Sequence, residues 1–284
     1  DDVESRGLGD VYKRQEYRTD LAVEYTEEST HRREEQGEYA ITRLTHAGRR
    51  YVTVETPPFS DAADAEELAE LLAGELRKLL PEEGPVLVAG LGNRFVTPDA
   101  LGPRMADRVL ATRHIGGELA RVSGLDGLRP VAVLAPGVLG STGVESGEAV
   151  AALTAALHPA AVIAVDALAA RSLSRLGCTV QLTDAGISPG EGVGNRRPAL
   201  SWESLGAPVI ALGVPTVVDA AALAAGLMGG DPPSEAVAPR GAAMIVTPRE
   251  IDLLVDRAAR VLAMAVNRAL NPDLSQEDFA RLVS

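Results

Sequence analysis

Asp99 and Asp166 each lie just beyond a short apolar run with the character of a buried strand, 86–91 in the first case and 161–165 in the second. Chemistry in open α/β sheets collects at the carboxyl ends of strands. Two carboxyls brought into one crevice there share a proton, and such a pair can activate a water. Each aspartate also has a simpler reading. Asp99 falls in the first turn of a helix expected over 98–114, where the helix dipole steadies a carboxylate. Asp166 ends an apolar strand and so needs a partner or solvent, which capping a helix that begins at Ala167 would supply.

Three glycine-rich turns border these positions. Gly90-Leu91-Gly92-Asn93 follows the first strand. A strand, a glycine turn and a helix in that order could cradle a phosphate. Position 95 is Phe where a dinucleotide fingerprint has its third glycine, so a tight strand-to-helix turn is the simpler reading. Ala135-Pro136-Gly137-Val138 continues through Gly140-Ser141-Thr142-Gly143. The Gly137 and Gly92 amides could bind a substrate carbonyl or an oxyanion. Glu145 either lines the same crevice or caps the next helix, and capping is favoured. Ser141 has no evident histidine partner, which argues against a serine nucleophile. The long loop 184–197 follows a fourth strand and could shape a binding site. Arg171 and Arg196 could orient a substrate carboxylate.

The elements that must position these residues follow from pattern. Residues 61–80 form an amphipathic helix with Leu68, Leu71, Leu72 and Leu76 on one face and Asp61 or Asp64 as cap. Alternation over 38–55 around Ala47-Gly48 predicts a hairpin. Strands are expected at 86–91, 130–135, 161–165, 178–183 and 208–212. Helices are expected at 98–114 with Thr97 as N-cap and Pro98 first, and at 145–157, 167–176, 215–227, 248–270 and 276–282. Residues 226–241 form a surface loop. Strands alternating with helices predict an α/β fold with a mostly parallel sheet flanked by helices on both faces.

Composition narrows the function classes. The chain has 284 residues, 46% of them apolar and 3% aromatic, so its core is built from aliphatic side chains. A formal charge of −13 argues against a nucleic-acid partner, which requires a basic surface. Cys178 is the only cysteine, which excludes a disulfide within the chain and fits a reducing compartment. His31, His46, His114 and His158 lack metal-ligand spacing. No apolar run is long enough to span a membrane, and no signal peptide opens the sequence. A cytoplasmic protein without cofactor is expected, with metal left open. Residues 1–15 carry no period and resemble translated adapter sequence, so an artefact or disordered tail is expected there and one domain over 16–284.

Read in order, the segments resemble the germination protease family of spore-forming bacteria. The matching pieces begin with Arg18-Thr19-Asp20-Leu21-Ala22-Val23-Glu24, then Gly90-Leu91-Gly92-Asn93 and Val96-Thr97-Pro98-Asp99-Ala100-Leu101-Gly102-Pro103. Ala135-Pro136-Gly137-Val138, Thr142-Gly143-Val144-Glu145 and Ile163-Ala164-Val165-Asp166-Ala167-Leu168-Ala169-Ala170-Arg171-Ser172 follow. Gly213-Val214-Pro215-Thr216-Val217-Val218-Asp219-Ala220 and Val246-Thr247-Pro248-Arg249-Glu250-Ile251-Asp252 complete the set. The resemblance implies a fold similar to the hydrogenase-maturation endopeptidases. It also implies an endopeptidase that degrades small acid-soluble spore proteins during germination in the spore core. Asp99 and Asp166 would be its acidic pair. Beside that resemblance, Gly92, Asn93, Gly137, Glu145 and Arg171 are the residues expected, from their own types and positions, to bind substrate or an oxyanion. It further implies a homotetramer made as a zymogen, with 16–60 as pro-segment and hairpin region and cleavage between Asp20 and Leu21. Two departures stand out: the stretch between Asp219 and Met244 is short, and position 188 is Ser where some members carry His. The second leaves a histidine-dependent metal role unsupported. A metal-dependent maturation-type peptidase and a non-catalytic phosphate- or nucleotide-binding module are the alternative readings.

Overall fold

A computed structural model of the chain describes residues 21, 30–61, 65–115, 127–189, 198–228 and 244–274. The expectations for residues 1–15, Asp20, Arg196 and 276–282, and most of the loop at 226–241, lie outside the described residues. Strands β1 (Thr30–Gln36), β2 (Tyr39–His46) and β3 (Arg49–Glu55) are followed by helix α1 (Ala65–Leu79) and strand β4 (Val86–Gly90). A 3-10 turn at Thr97–Asp99 leads into α2 (Leu101–Ala106). Then come β5 (Val131–Leu134), the short α3 (Leu139–Thr142), α4 (Ser146–Leu157) and β6 (Ala161–Ala170). The remaining elements are β7 (Thr179–Thr183), α5 (Trp202–Leu205), β8 (Val209–Asp219), α6 (Ala220–Met228), β9 (Ile245–Val246) and α7 (Ile251–Leu270).

Among the described residues, nine strands form one sheet in the order β1-β2-β3-β7-β8-β6-β4-β5, with β9 pairing β8. The four strands β5, β4, β6 and β8 are parallel to one another. Strands β1, β2, β3 and β7 extend the sheet antiparallel from β8. Both faces are covered. On one, α1, α2 and α7 bury Leu68, Leu72, Leu76, Leu101, Met105 and Leu262 against Val88, Ile163 and Val165. On the other, Val150 and Leu153 of α4 and Leu205 of α5 pack against Ala89, Ala164 and Leu168. The expected α/β architecture is present, with the parallel order confined to the half of the sheet that runs from β8 to the edge strand β5.

The amphipathic helix at 61–80 is α1, and all four predicted leucines are buried. The hairpin turns at Ala47 and Gly48, both with positive φ of 49° and 73°. Three expectations require correction. The helix predicted at 167–176 is absent, because β6 continues to Ala170 and only a 3-10 turn, Leu173–Arg175, follows. Its alanines favour helix intrinsically, but pairing with β8 from Asp166↔Gly213 to Ala170↔Val218 overrides that preference. With no crossover helix between β6 and β7, β7 returns antiparallel, since a parallel return needs a dozen or more residues. The helix predicted at 98–114 shrinks to the 3-10 turn plus α2. The helix predicted at 215–227 begins only at Ala220, after β8 has run through Pro215.

Candidate active site

Where β4 ends, β6 does not. Gly90 is the last residue of β4 paired with β6, opposite Val165, and the Leu91 amide adds one more bond to the Val165 carbonyl at 2.7 Å. The next residue of β6 is Asp166. It has lost its neighbour on the β4 side but stays paired with Gly213 of β8 on the other. Asp166 therefore stands on a step in the sheet rather than at the end of its own strand. Strand alternation puts it on the face that carries Ala164 and Leu168. It is 5% exposed, and its Oδ1 accepts from the Ala167 amide at 2.9 Å.

Asp99 lies in the turn that follows β4. The chain leaves β4 through Gly92, whose φ of +110° an L-residue rarely adopts. It then folds back so that the Asn93 amide donates to Asp99 Oδ2 at 2.8 Å. A Cβ at position 92 would collide with the Asp99 carbonyl oxygen and would lie 2.9 Å from Asp99 Oδ1. Asn93 closes the turn internally: its Oδ1 accepts from the Phe95 amide at 3.0 Å and its carbonyl from the Val96 amide at 3.1 Å. Gly102 lets the α2 backbone pass directly over Leu91 and Val165, where any side chain would clash. At the outer end of the loop, Arg94 grips Asp107 through two bonds of 2.6 and 2.9 Å. The Arg94 guanidinium holds the Asp107 carboxyl below its ordinary value, against the opposing pull of burial.

Asp99, Gly92 and Asn93 are thus in direct contact, and their turn leaves the sheet beside the strand that bears Asp166. Gly137, with φ of +75°, belongs to the loop after β5, on the far side of β4 from β6. Glu145 is the N-cap of α4, and its amide donates to the Glu148 carboxylate at 3.3 Å, in keeping with the capping role favoured from sequence. Ser141 turns its hydroxyl back onto the Val138 carbonyl at 3.0 Å. Arg171 follows β6 directly. Phe95, 84% exposed, is held in solvent by the Asn93 turn. A groove of about 810 Å³ lies elsewhere, between β1, β2 and α1, and Glu34, Arg43 and Glu75 line it rather than any candidate residue. Among the described residues, no group of three or more His, Cys, Asp or Glu is gathered as a metal cluster.

Sequence reading passed over Thr216. Its hydroxyl, 1% exposed as a residue, donates to the Pro98 carbonyl at 2.7 Å. The available signal was Pro215, since proline inside a central strand marks a bulge.

Comparison with known proteins gives this arrangement its family. A family model described as germination protease matches residues 6–228. A germination protease of Clostridium perfringens (strain ATCC 13124) is 38% identical over 267 residues, covering 83% of this chain and 82% of its own. That of Caldanaerobacter subterraneus subsp. tengcongensis is 38% identical over 317 residues, covering 94% and 98%. That of Priestia megaterium is 34% identical over 322 residues, covering 87% of each chain. Among solved structures, a NiFe hydrogenase maturation protease, HycI from Thermococcus kodakarensis KOD1, aligns with a TM-score of 0.40 at 20% identity. That alignment covers 69% of this chain and 99% of the other. The chain belongs to the germination protease family and is an endopeptidase.

Proposed function

We propose that this protease cleaves small acid-soluble spore proteins during germination, in the spore core, using a water held between Asp99 and Asp166. One carboxylate takes a proton from the water as it attacks the scissile carbonyl. The other, protonated, donates a hydrogen bond to the carbonyl oxygen and later passes its proton to the leaving amine. The two titrate as a pair, so neither role belongs to one residue in isolation. The Gly92 or Gly137 amide stabilises the oxyanion, and Asn93 and Arg171 border the bound chain. The observation that carries this reading is the step in the sheet. The turn that anchors the Asp99 carboxylate on the Asn93 amide departs from β4 where β4 parts from β6, one residue before Asp166.

The protein is made as a zymogen, trimmed between Asp20 and Leu21, and works as a homotetramer. Leu21 lends support to that cleavage point. It packs against the apolar cluster containing Ala164 and Leu168, on the Asp166-bearing face of the sheet.

The test is cleavage of a purified small acid-soluble spore protein by Asp99→Asn and Asp166→Asn, each checked for native unfolding behaviour. Loss of a positioned acid or base lowers the rate by about 10²–10⁴-fold. Wild-type rates in both folded variants would remove the acidic pair. Activity that a chelator abolishes, and that added divalent metal restores, would replace it with a metal-assisted mechanism.

A further inference from the structure

We propose that Thr216 is the positioning residue for Asp99, clamping the turn that carries it onto the strand next to Asp166. The inference rests on the reading of Asp99 as half of the acidic pair. Between β6 and β8 the register runs Leu168↔Pro215 and then Ala169↔Val217, so Thr216 is an additional residue on β8. A bulge of this kind re-aims one side chain out of the ladder. Pro215, which has no N–H to donate, fits only at such an irregularity in a central strand, and its carbonyl is taken by the Gly177 amide at 2.8 Å. The re-aimed side chain is a buried threonine whose hydroxyl donates 2.7 Å to the carbonyl of Pro98, 118 residues earlier in the chain. Pro98 is the middle residue of the 3-10 turn Thr97–Asp99 and immediately precedes the carboxylate.

Within the turn, the Asp99 amide bonds to the Val96 carbonyl at 2.8 Å and the Ala100 amide to the Thr97 carbonyl at 3.1 Å. These bonds are local to the turn. The Thr216 bond ties the turn to β8, the strand paired with Asp166 through Gly213. One hydroxyl therefore links the strand beside one carboxylate to the residue before the other. The branched Cβ restricts χ1, so the hydroxyl is held rather than free to swing. Its bond runs to a main-chain carbonyl beside the carboxylate, so Thr216 sets where Asp99 stands and takes no part in proton transfer.

The experiment measures kcat and KM of the full chain on a purified small acid-soluble spore protein for Thr216→Val, Thr216→Ala and Thr216→Ser, with Asp99→Asn in parallel. A misplacement of about 1 Å lowers rate by about 10²-fold. Thr216→Val is expected to lower kcat by about 10- to 100-fold with KM within about twofold. Thr216→Ala, which removes the same hydroxyl with less crowding, is expected to match it should the valine variant not fold. Thr216→Ser keeps the donor and is expected to stay within about threefold of wild type, which mere loss of packing would not produce. Wild-type kcat in Thr216→Val or Thr216→Ala would overturn the clamp, as would a serine variant as impaired as alanine. If Asp99→Asn is inactive while Thr216→Val is fully active, only the clamp falls. If Asp99→Asn is itself active, the acidic pair falls and the clamp with it.

Discussion

Carboxylates in two parts of this molecule are held in different ways. In the antiparallel wing, Glu75 of α1 is buried and accepts from Arg43 Nε at 3.0 Å, Arg43 Nη2 at 2.6 Å and Lys78 Nζ at 2.6 Å. Arg43 in turn reaches Glu34 at 2.8 Å. At the step between β4 and β6, Asp99 accepts from the Asn93 amide and Asp166 from the Ala167 amide. A carboxylate gripped by a bidentate guanidinium and an ammonium stays ionised and stays put. One that accepts from a main-chain N–H is positioned by the backbone itself. The first arrangement ties β2 to α1. The second suits acid–base work.

Gly92→Ala attacks the second arrangement without replacing a carboxylate. The added Cβ meets the Asp99 carbonyl and carboxylate at a φ of +110°, so the turn must move. Kinetics on a spore-protein substrate should reveal a kcat loss of about 10²-fold, from misplacement of the carboxylate. Wild-type kcat would mean that Asp99 does not need the Gly92 turn.

Arg43→Met attacks the first. Breaking a fully buried ion pair costs about 3–5 kcal/mol. Arg43 is partly exposed, so about 2 kcal/mol is expected by denaturant unfolding, with activity per folded molecule within about twofold of wild type. Acid sensitivity sharpens the contrast. Burial pulls the Glu75 carboxyl up, but the hydrogen bonds from Arg43 and Lys78 together outweigh it and leave the group below its ordinary value. A lowered folded-state pKa stabilises the fold above the unfolded-state value near 4.5, and that stabilisation is lost as pH falls through the folded value. Melting temperature followed downward from pH 6 should therefore fall in the wild type over this window, and less steeply in Arg43→Met. Equal slopes would assign acid unfolding to other carboxylates.

Much of the frame was legible because burial leaves a period. The Leu68, Leu71, Leu72 and Leu76 stripe of α1 and the all-apolar runs of β4 and β6 are local signals that tertiary structure only confirms. The Ala47-Gly48 turn was equally local. Residues 167–170 misled because an alanine-rich stretch prefers helix in isolation, and its pairing with β8 is invisible along the chain. Reading β6 as ending at Asp166 needs correction: β6 runs on to Ala170, and β4 is the strand that ends beside Val165. The sequence placed Asp99 near a helix start, yet the fold-back onto Asn93 depends on a positive φ that only the Gly92 backbone discloses. Thr216 was out of reach, since its bond to Pro98 spans 118 residues and left only a proline inside a strand as its trace.

Whether Asp99 and Asp166 work as one unit is read most directly from a double-mutant cycle. The quantity is kcat/KM for a purified small acid-soluble spore protein with Asp99→Asn, Asp166→Asn and the double variant, each verified as folded. Residues that act together lose activity non-additively. The double variant is expected to be no worse than the poorer single one, within about threefold. Losses that multiply, or a single variant at wild-type rate, would contradict a shared water between the two carboxylates.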